Sequence, residues 1–368
     1  MIYVIGAGPA GLFLAISLKK LDHLRKIIIF EDHKDIGSPV QCTGILTPAI
    51  TELFPIKKEM IANKIRTAKI YAPKGNHVTI RFNQPDFILH RNAFDQSLEK
   101  EARKQGVQIK KEHRLTHIKG SKLIFSTKKK MQVQIKLKER DIVIGADGPQ
   151  STVAKQTGMF THRQSLLGNQ ALVKINNDNA IGFYPHIGEY AWFAPENMNF
   201  SRIGIATRKN HAKLFKELLA RFPGKIISRQ AGLIPLYHPK IPKQTIHRGV
   251  QYFLIGDAAG QIKNTTGGGI IAGMKAGKLL AELIHEGRQE EYAKKVKKLE
   301  QELYLHYRLN KGFGKFTDED WNKLVEICSK KGMRELLGKI NRDNLISMIP
   351  PLFIHGLPLI RFWKKFVQ

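Results

Sequence analysis

The sequence predicts an α/β fold: a parallel sheet flanked by helices, an antiparallel sheet inserted into it, and a helical C-terminal region. Three observations carry this. Apolar, β-branched runs at residues 1–5, 26–30 and 141–145 read as buried parallel strands, and helical spacing follows them. Residues 170–240 instead hold closely spaced strand-like runs, including 171–175, 182–184, 190–193 and 203–206, which suit a separate antiparallel sheet. From about residue 290 the pattern is mostly helical and strongly basic.

The first run leads straight into Gly6-Ala7-Gly8-Pro9-Ala10-Gly11, and residues 12–21 are helix-like. Glu31 follows the second run, twenty residues past Gly11. Strand, GxGxxG, helix, strand and terminal acid together make the dinucleotide-binding fingerprint of a Rossmann-like unit. Gly6 permits the tight turn. Gly8 lets the backbone approach a pyrophosphate, whose charge sits on the N-terminus of the helix that Pro9 and Ala10 begin. Gly11 allows that helix to pack on the strand, and Glu31 can accept hydrogen bonds from a ribose.

Residues 36–48 are rich in turn formers and read as a loop. Residues 92–105 have helical spacing, with Phe94, Leu98 and Ala102 on one face and Gly106 as the stop. Arg91 opens that helix on the presumed ligand edge, where a guanidinium can pair with a pyrophosphate oxygen. Residues 107–111 form a strand, and 123–137 suggest further short ones. The run at 141–145 ends in Asp147-Gly148, a turn able to hold sugar or phosphate, although such turns are often only structural.

Residues 251–257 return to the buried parallel type and end in Gly256-Asp257. Gly267, Gly268 and Gly269 then precede a long helix over 270–286. They leave its N-terminus free of side chains, a nest of unpaired N–H groups at the positive end of a dipole. Strands of one parallel sheet end on one edge, where ligands bind. The cofactor domain is therefore expected to be discontinuous: 1–72, 88–160 and 241–286. An antiparallel substrate domain covers 73–87 and 161–240, and a basic helical region covers 287–368.

With 368 residues the chain can bury a sizeable core. Its two cysteines, Cys42 and Cys328, give neither a disulfide framework nor a metal pattern, so no metal is expected and a reducing, cytoplasmic setting is. The first strand resembles a signal-peptide apolar region but lacks a basic leader and a cleavage site. No clean apolar run is long enough to span a bilayer. The net charge of +30 favours anionic partners, or reflects a lysine-rich composition; the two readings weigh evenly. Without zinc-finger or RNP-like signals, nucleic acid ranks below a lipid surface. Residues 352–367 mix apolar, aromatic and basic side chains, which suits peripheral contact with the inner face of an anionic membrane; docking on the protein's own core is the competing reading.

These motifs, in this order over about residues 1–285, resemble the FAD-dependent flavoproteins that include aromatic hydroxylases and geranylgeranyl reductases. The loop Pro39-Val40-Gln41-Cys42-Thr43-Gly44 is similar to the cysteine-glycine loop of the geranylgeranyl reductases, which lies by the flavin. Residues 188–195, with Tyr190, Trp192 and Phe193, resemble that family's Tyr-x-Trp-x-Phe-Pro signature, which helps shape a lipid cavity. Here Phe193 directly follows Trp192, and Asn264 stands where proline is common. The resemblance implies a Rossmann-like FAD-binding domain and an FAD-dependent reductase of prenyl carbon–carbon double bonds. It places the ribityl chain by Asp257 and the ring by Ile270 and the three glycines. It makes Cys42 the candidate for ring tuning or proton supply, with Gly44 beside the cofactor. Tyr190, Trp192 and Phe193 would wall the hydrocarbon tunnel. A flavin monooxygenase acting on an aromatic or quinone-like compound, and a non-enzymatic flavin- or lipid-binding protein, are the rival readings. No second dinucleotide fingerprint appears, so the electron donor is NADPH, NADH or a small redox protein.

Overall fold

The computed structural model describes residues 1–339, 342–348 and 357–367. In chain order the elements are β1 (Ile2–Ile5), α1 (Pro9–Leu21), β2 (Ile27–Phe30), β3 (Ile45–Leu46), β4 (Ile61–Tyr71), β5 (His77–Leu89), α2 (Arg91–Lys104) and β6 (Gln108–Lys110). Then come β7 (His113–Lys119), β8 (Lys122–Thr127), β9 (Gln132–Lys136), β10 (Ile142–Gly145), α3 (Thr152–Gln156), β11 (Ser165–Lys174), β12 (Ala180–Tyr184), β13 (Tyr190–Asn197) and β14 (Phe200–Thr207). The chain continues with α4 (His211–Ala220), β15 (Lys225–Pro235), β16 (Gln244–His247), β17 (Val250–Leu254), α5 (Ile270–His285), α6 (Tyr292–Phe313), α7 (Asp318–Ser329), α8 (Lys331–Lys339) and α9 (Trp363–Val367).

The first sheet runs β16-β17-β10-β1-β2-β6. All its pairings are parallel except β16 with β17. Its central strands are apolar on both faces because helices cover one side and a three-stranded sheet, β7-β8-β9, covers the other. Phe30 of β2 stacks on Phe125 of β8, ring centroids 4.2 Å apart. Helix α1 packs against α5 through small residues: a Cβ at Gly277 would lie 3.0 Å from the Ala10 carbonyl oxygen. α2 lays Phe94, Leu98 and Ala102 into the same core, as its spacing predicts.

The second sheet runs β15-β11-β14-β13-β12-β4-β5-β3. It is antiparallel except for β12 with β4. The runs between 170 and 240 all join it. So do β4 and β5, and the boundary suggested by the sequence at 72/73 falls in the turn between those two strands.

At the C-terminal end, Pro350, Pro351 and Leu352 lie outside the described residues. Residues 357–367 dock on the protein's own helices. Phe362 is buried against Phe316, and Phe366 meets Phe313 edge-on at 5.6 Å. Lys365 pairs with Asp320, while Trp363 stays 65% exposed. No helix among the described residues is long and apolar enough to cross a membrane.

Candidate active site

The carboxyl ends of β1, β2, β10 and β17 face the second sheet across a cleft of about 610 Å³. The parallel sheet contributes Gly6, Gly8, Glu31, Asp147 and Asp257. The other wall is the sheet surface carrying Gly168, Gln170, Tyr190, Trp192 and Gly232. The loop from Gly37 to Leu46, with Cys42 and Gly44, closes one side; Gly267, Gly268, Gly269 and Ile270 close another.

The glycines of the first turn have separate jobs. A Cβ at Gly6 would lie 2.3 Å from the Ala146 carbonyl oxygen, and one at Gly11 would lie 2.4 Å from the Gly6 carbonyl oxygen. Both therefore serve the packing of the chain on itself. A Cβ at Gly8 meets nothing within 4 Å, so its space opens into the cleft. Gly8 also caps α1, whose first turn has no capping side chain and no acid. Pro9 and Ala10 do not line the cleft: Pro9 starts the helix, and the Ala10 methyl packs under Gly256 and Gly273.

Glu31 accepts from the Ala7 N–H (2.8 Å) and the His33 N–H (3.0 Å), with the His33 ring 2.7 Å away. Burial pushes its carboxyl pKa up, and those N–H groups oppose the shift. Asp147 accepts from the Ser151 hydroxyl (2.6 Å) and the Val153 N–H (3.1 Å), so its carboxylate supports the start of α3. Arg91 lines the cleft, but its guanidinium grips Asp95 one turn along α2, at 2.9 Å. Burial alone would lower its pKa; Asp95 and the adjacent Cys42 sulfur hold it above the ordinary arginine value.

Asp257 stands apart from these carboxylates. No described residue donates a hydrogen bond to its carboxylate. Burial pushes its pKa up, and Arg91 only partly offsets that. The turn that carries it is fixed from outside the cleft. Arg163 donates to the Ala258 carbonyl at 2.6 Å, and Gln261 accepts from the Gly256 N–H at 2.7 Å. Asn264 holds the Tyr237 backbone through both its amide atoms, at 2.7 and 3.1 Å.

The sign of the Asp257 shift gives a testable consequence. A carboxyl whose folded pKa is raised favours the folded state while protonated. That contribution fades as pH rises from the ordinary aspartate range through the folded pKa. Asp257→Asn removes the effect. Without cofactor, the variant should melt higher than the parent at neutral pH, and the two melting temperatures should converge near pH ~4. Thermal melts across that range check this; parallel curves would show that Asp257 carries no such cost.

On the sheet wall, Tyr190 and Trp192 face the cleft with ring centroids 5.9 Å apart. The Tyr190 hydroxyl is buried with no hydrogen-bond partner among the described residues, and burial pushes its pKa up. It sits 2.4 Å from where a Gly267 Cβ would be, so only glycine fits at 267, which has φ +71°. Phe193 requires a correction. It lies on the opposite face of β13 and meets Phe222 at 5.2 Å, because successive strand residues alternate sides. Gln170, Gln230 and Arg163 also belong to the site or its support. No local motif marks them, since their roles come from strand pairing.

The site fits a flavin dinucleotide. Open space at Gly8 faces a bare helix N-terminus. Asp257 offers an unpaired carboxylate beside the glycine cluster, and the cap of α5, Gly269, carries no side chain. Fold and site together define a Rossmann-type dinucleotide-binding architecture with a second, antiparallel sheet facing it.

No protein-family model matches the chain. The sequence is 27% identical to a digeranylgeranylglycerophospholipid reductase of Methanothrix thermoacetophila, over 93% of this chain and 96% of that protein. A geranylgeranyl bacteriochlorophyll reductase-like protein from Thermoplasma acidophilum superposes with a TM-score of 0.81 at 21% identity, covering 100% of this chain and 98% of the other. A flavin-dependent brominase superposes with a TM-score of 0.72 at 16% identity, each chain 99% covered. The chain is thus an enzyme similar along its length to proteins named as geranylgeranyl-lipid reductases, and it shares the fold of flavin-dependent proteins.

Proposed function

We propose that the protein is an FAD-dependent reductase that saturates isolated carbon–carbon double bonds in the prenyl chains of a geranylgeranylated glycerophospholipid. The observation that carries this is the joining of two walls. A flavin-type edge with a bare Gly8 and a free Asp257 faces an aromatic sheet surface suited to a hydrocarbon. End-to-end similarity to digeranylgeranylglycerophospholipid reductases supports the substrate class.

In this reading Gly8 and the start of α1 receive the pyrophosphate, Glu31 a ribose and Asp257 the ribityl chain. Gly268 and Gly269 offer N–H groups to the ring, while the Gly267 N–H is held by the Lys263 carbonyl at 2.8 Å. When bound, FAD supplies the reducing equivalents. The protein's own contribution is position and dryness. An isolated alkene has no carbonyl to polarise, so holding it in place against the cofactor must supply several kcal/mol of barrier reduction. Tyr190 and Trp192 hold the chain there. Cys42, beside Arg91, is the group best placed to tune the ring or supply a proton. Electrons come from NADPH, NADH or a small redox protein, and the basic surface meets the lipid headgroup or an anionic membrane.

The test is anaerobic incubation of dithionite-reduced protein with a digeranylgeranyl glycerophospholipid, read by mass spectrometry. The lipid should gain the mass of dihydrogen for each double bond reduced. An unchanged lipid, together with oxygen-dependent hydroxylation of an aromatic compound, would replace this reading with a monooxygenase.

A further inference from the structure

We propose that Gln170 is a positioning residue that ties the loop of Cys42, which closes one side of the cleft, to the substrate-side strand of Trp192, and so fixes that loop against the aromatic wall. Its importance for turnover rests on the reductase reading above; the tie itself does not.

Gln170 lies in β11 on the cleft face and is 3% exposed. Its Oε1 accepts from two donors, one on the loop that closes the side of the cleft and one on the sheet wall. One is the Thr43 hydroxyl at 2.7 Å, next to Cys42. The other is the Trp192 Nε1–H at 3.0 Å. The second amide in the cluster, Gln230, is the register partner of Gln170 across β15. Amide orientation is assigned from the surrounding bonds. With its oxygen turned inward, Gln230 accepts from Gln170 Nε2 and from the Cys42 N–H (3.3 Å), and donates to the Val40 carbonyl (3.3 Å). In the other orientation it donates to the Cys42 carbonyl at 3.3 Å. Either way both ends of the cluster close on the loop that carries Cys42.

Polar groups are costly beside a hydrocarbon surface unless they are paired. Here one carbonyl oxygen satisfies a hydroxyl and an indole N–H from segments far apart in sequence, and a satisfied buried network rigidifies what it joins. The indole cannot rotate away easily. A Cβ at Gly204 would lie 2.3 Å from Trp192 Cζ2, so the ring lies flat over a glycine while its N–H points at Gln170. The loop is likewise held beyond the tie: the Gly44 N–H bonds the Cys42 sulfur at 3.3 Å, and Gly44 has φ +83° against the Leu89 backbone. Losing the Gln170 oxygen would free both partners at once.

The test uses the full chain with Cys328→Ala, so that Cys42 is the sole thiol, and with exposed Trp363 changed to Phe. Trp321, packed between Phe313 and Phe316, then remains as constant background. Gln170→Leu keeps size but removes the acceptor; Gln170→Glu keeps acceptor oxygens. In the Leu variant, maleimide labelling of Cys42 should speed up about tenfold or more, the effect of one or two lost net hydrogen bonds on loop opening. Acrylamide quenching of Trp192 should rise with it. The Glu variant should return both readouts close to the parent. If Gln170→Leu does not fold, Thr43→Val against Thr43→Ser should give the same contrast at the thiol. Unchanged labelling and quenching in the Leu variant would overturn the tie. So would a Glu variant that behaves like Leu, since packing and not the acceptor would then be responsible. With FAD-loaded protein and prenyl lipid, Gln170→Leu should lower kcat while FAD affinity stays; turnover at the parent rate would overturn the positioning role even where the tie is seen.

Discussion

Changing Gly8 to Val should give a folded, colourless protein. The native Gly8 backbone is extended, at φ −71° and ψ 172°, and a Cβ there meets nothing within 4 Å, so the apo chain has room for the branch. Its stability should fall by only about 1 kcal/mol, the scale of a poorer helix cap. The new methyl groups would stand in the space where a pyrophosphate must approach the N-terminus of α1. FAD affinity should drop at least ~100-fold, about 2.7 kcal/mol. Absorbance of the purified protein near the flavin bands, alongside a thermal melt, checks both halves. Gly11→Val is the control with the opposite signature. Its Cβ would lie 2.4 Å from the Gly6 carbonyl, and the fold itself should lose about 3 kcal/mol or more. A yellow Gly8→Val protein would place the dinucleotide elsewhere.

The second large effect lies beneath the other half of the site. Lys243 and Glu300 form a buried pair at 3.3 Å, both nearly inaccessible. Burial pulls the lysine pKa down, and Glu300 opposes that. Around them, Lys243 donates to the Ala259 carbonyl at 2.8 Å, Gln261 donates to Glu300 at 3.2 Å, and the Tyr292 hydroxyl donates to the Leu254 carbonyl at 3.1 Å. This network carries the backbone turn that presents Asp257. Glu300→Ala should cost about 3–5 kcal/mol, because it strands a buried ammonium without its partner. Lys243→Met combined with Glu300→Leu should recover most of that loss, since two apolar groups replace two charges that were expensive to desolvate. Denaturant titration of the parent, of Lys243→Met and Glu300→Leu singly, of Glu300→Ala and of the double variant separates these outcomes. The double variant should still hold FAD less tightly, because the Ala259 carbonyl and Gln261 lose a partner each. Additive single and double effects would show that the pair is not a unit.

These experiments bear on the two halves of the cofactor site that the sequence makes visible to different degrees. The first turn is legible residue by residue, because a dinucleotide demands particular backbone: glycine where chain meets chain or ligand, an acid at the end of the next strand. The support for Asp257 is not. Arg163, Gln261, Lys243 and Glu300 are ordinary polar residues at ordinary spacings, and only the folded chain brings them under one turn. Asn264 shows the same limit. It departs from the proline common in the resembling family, and its two hydrogen bonds to the Tyr237 backbone explain how the loop is held without one. Asp147 and Arg91 mark the reverse case: the motif places them at the cleft, but their nearest partners, Ser151 and Asp95, occupy the groups that would otherwise reach for a ligand.

Although it left β4, a strand of the second sheet, with residues 1–72, the sequence by itself determined the glycine turns after β1 and β17, the buried runs of β1, β2, β10 and β17, and the edge on which a dinucleotide could lie. Those features follow from local rules, since φ/ψ limits, side-chain period and helix-end N–H groups act within a few residues. The tertiary structure alone decided which wall faces that edge. It put Phe193 behind the sheet while Tyr190 and Trp192 look into the cleft, and it met Thr43 with Gln170 from a strand 127 residues away. Register and packing set those contacts, and both depend on the free energy of the whole folded chain rather than on any segment of it.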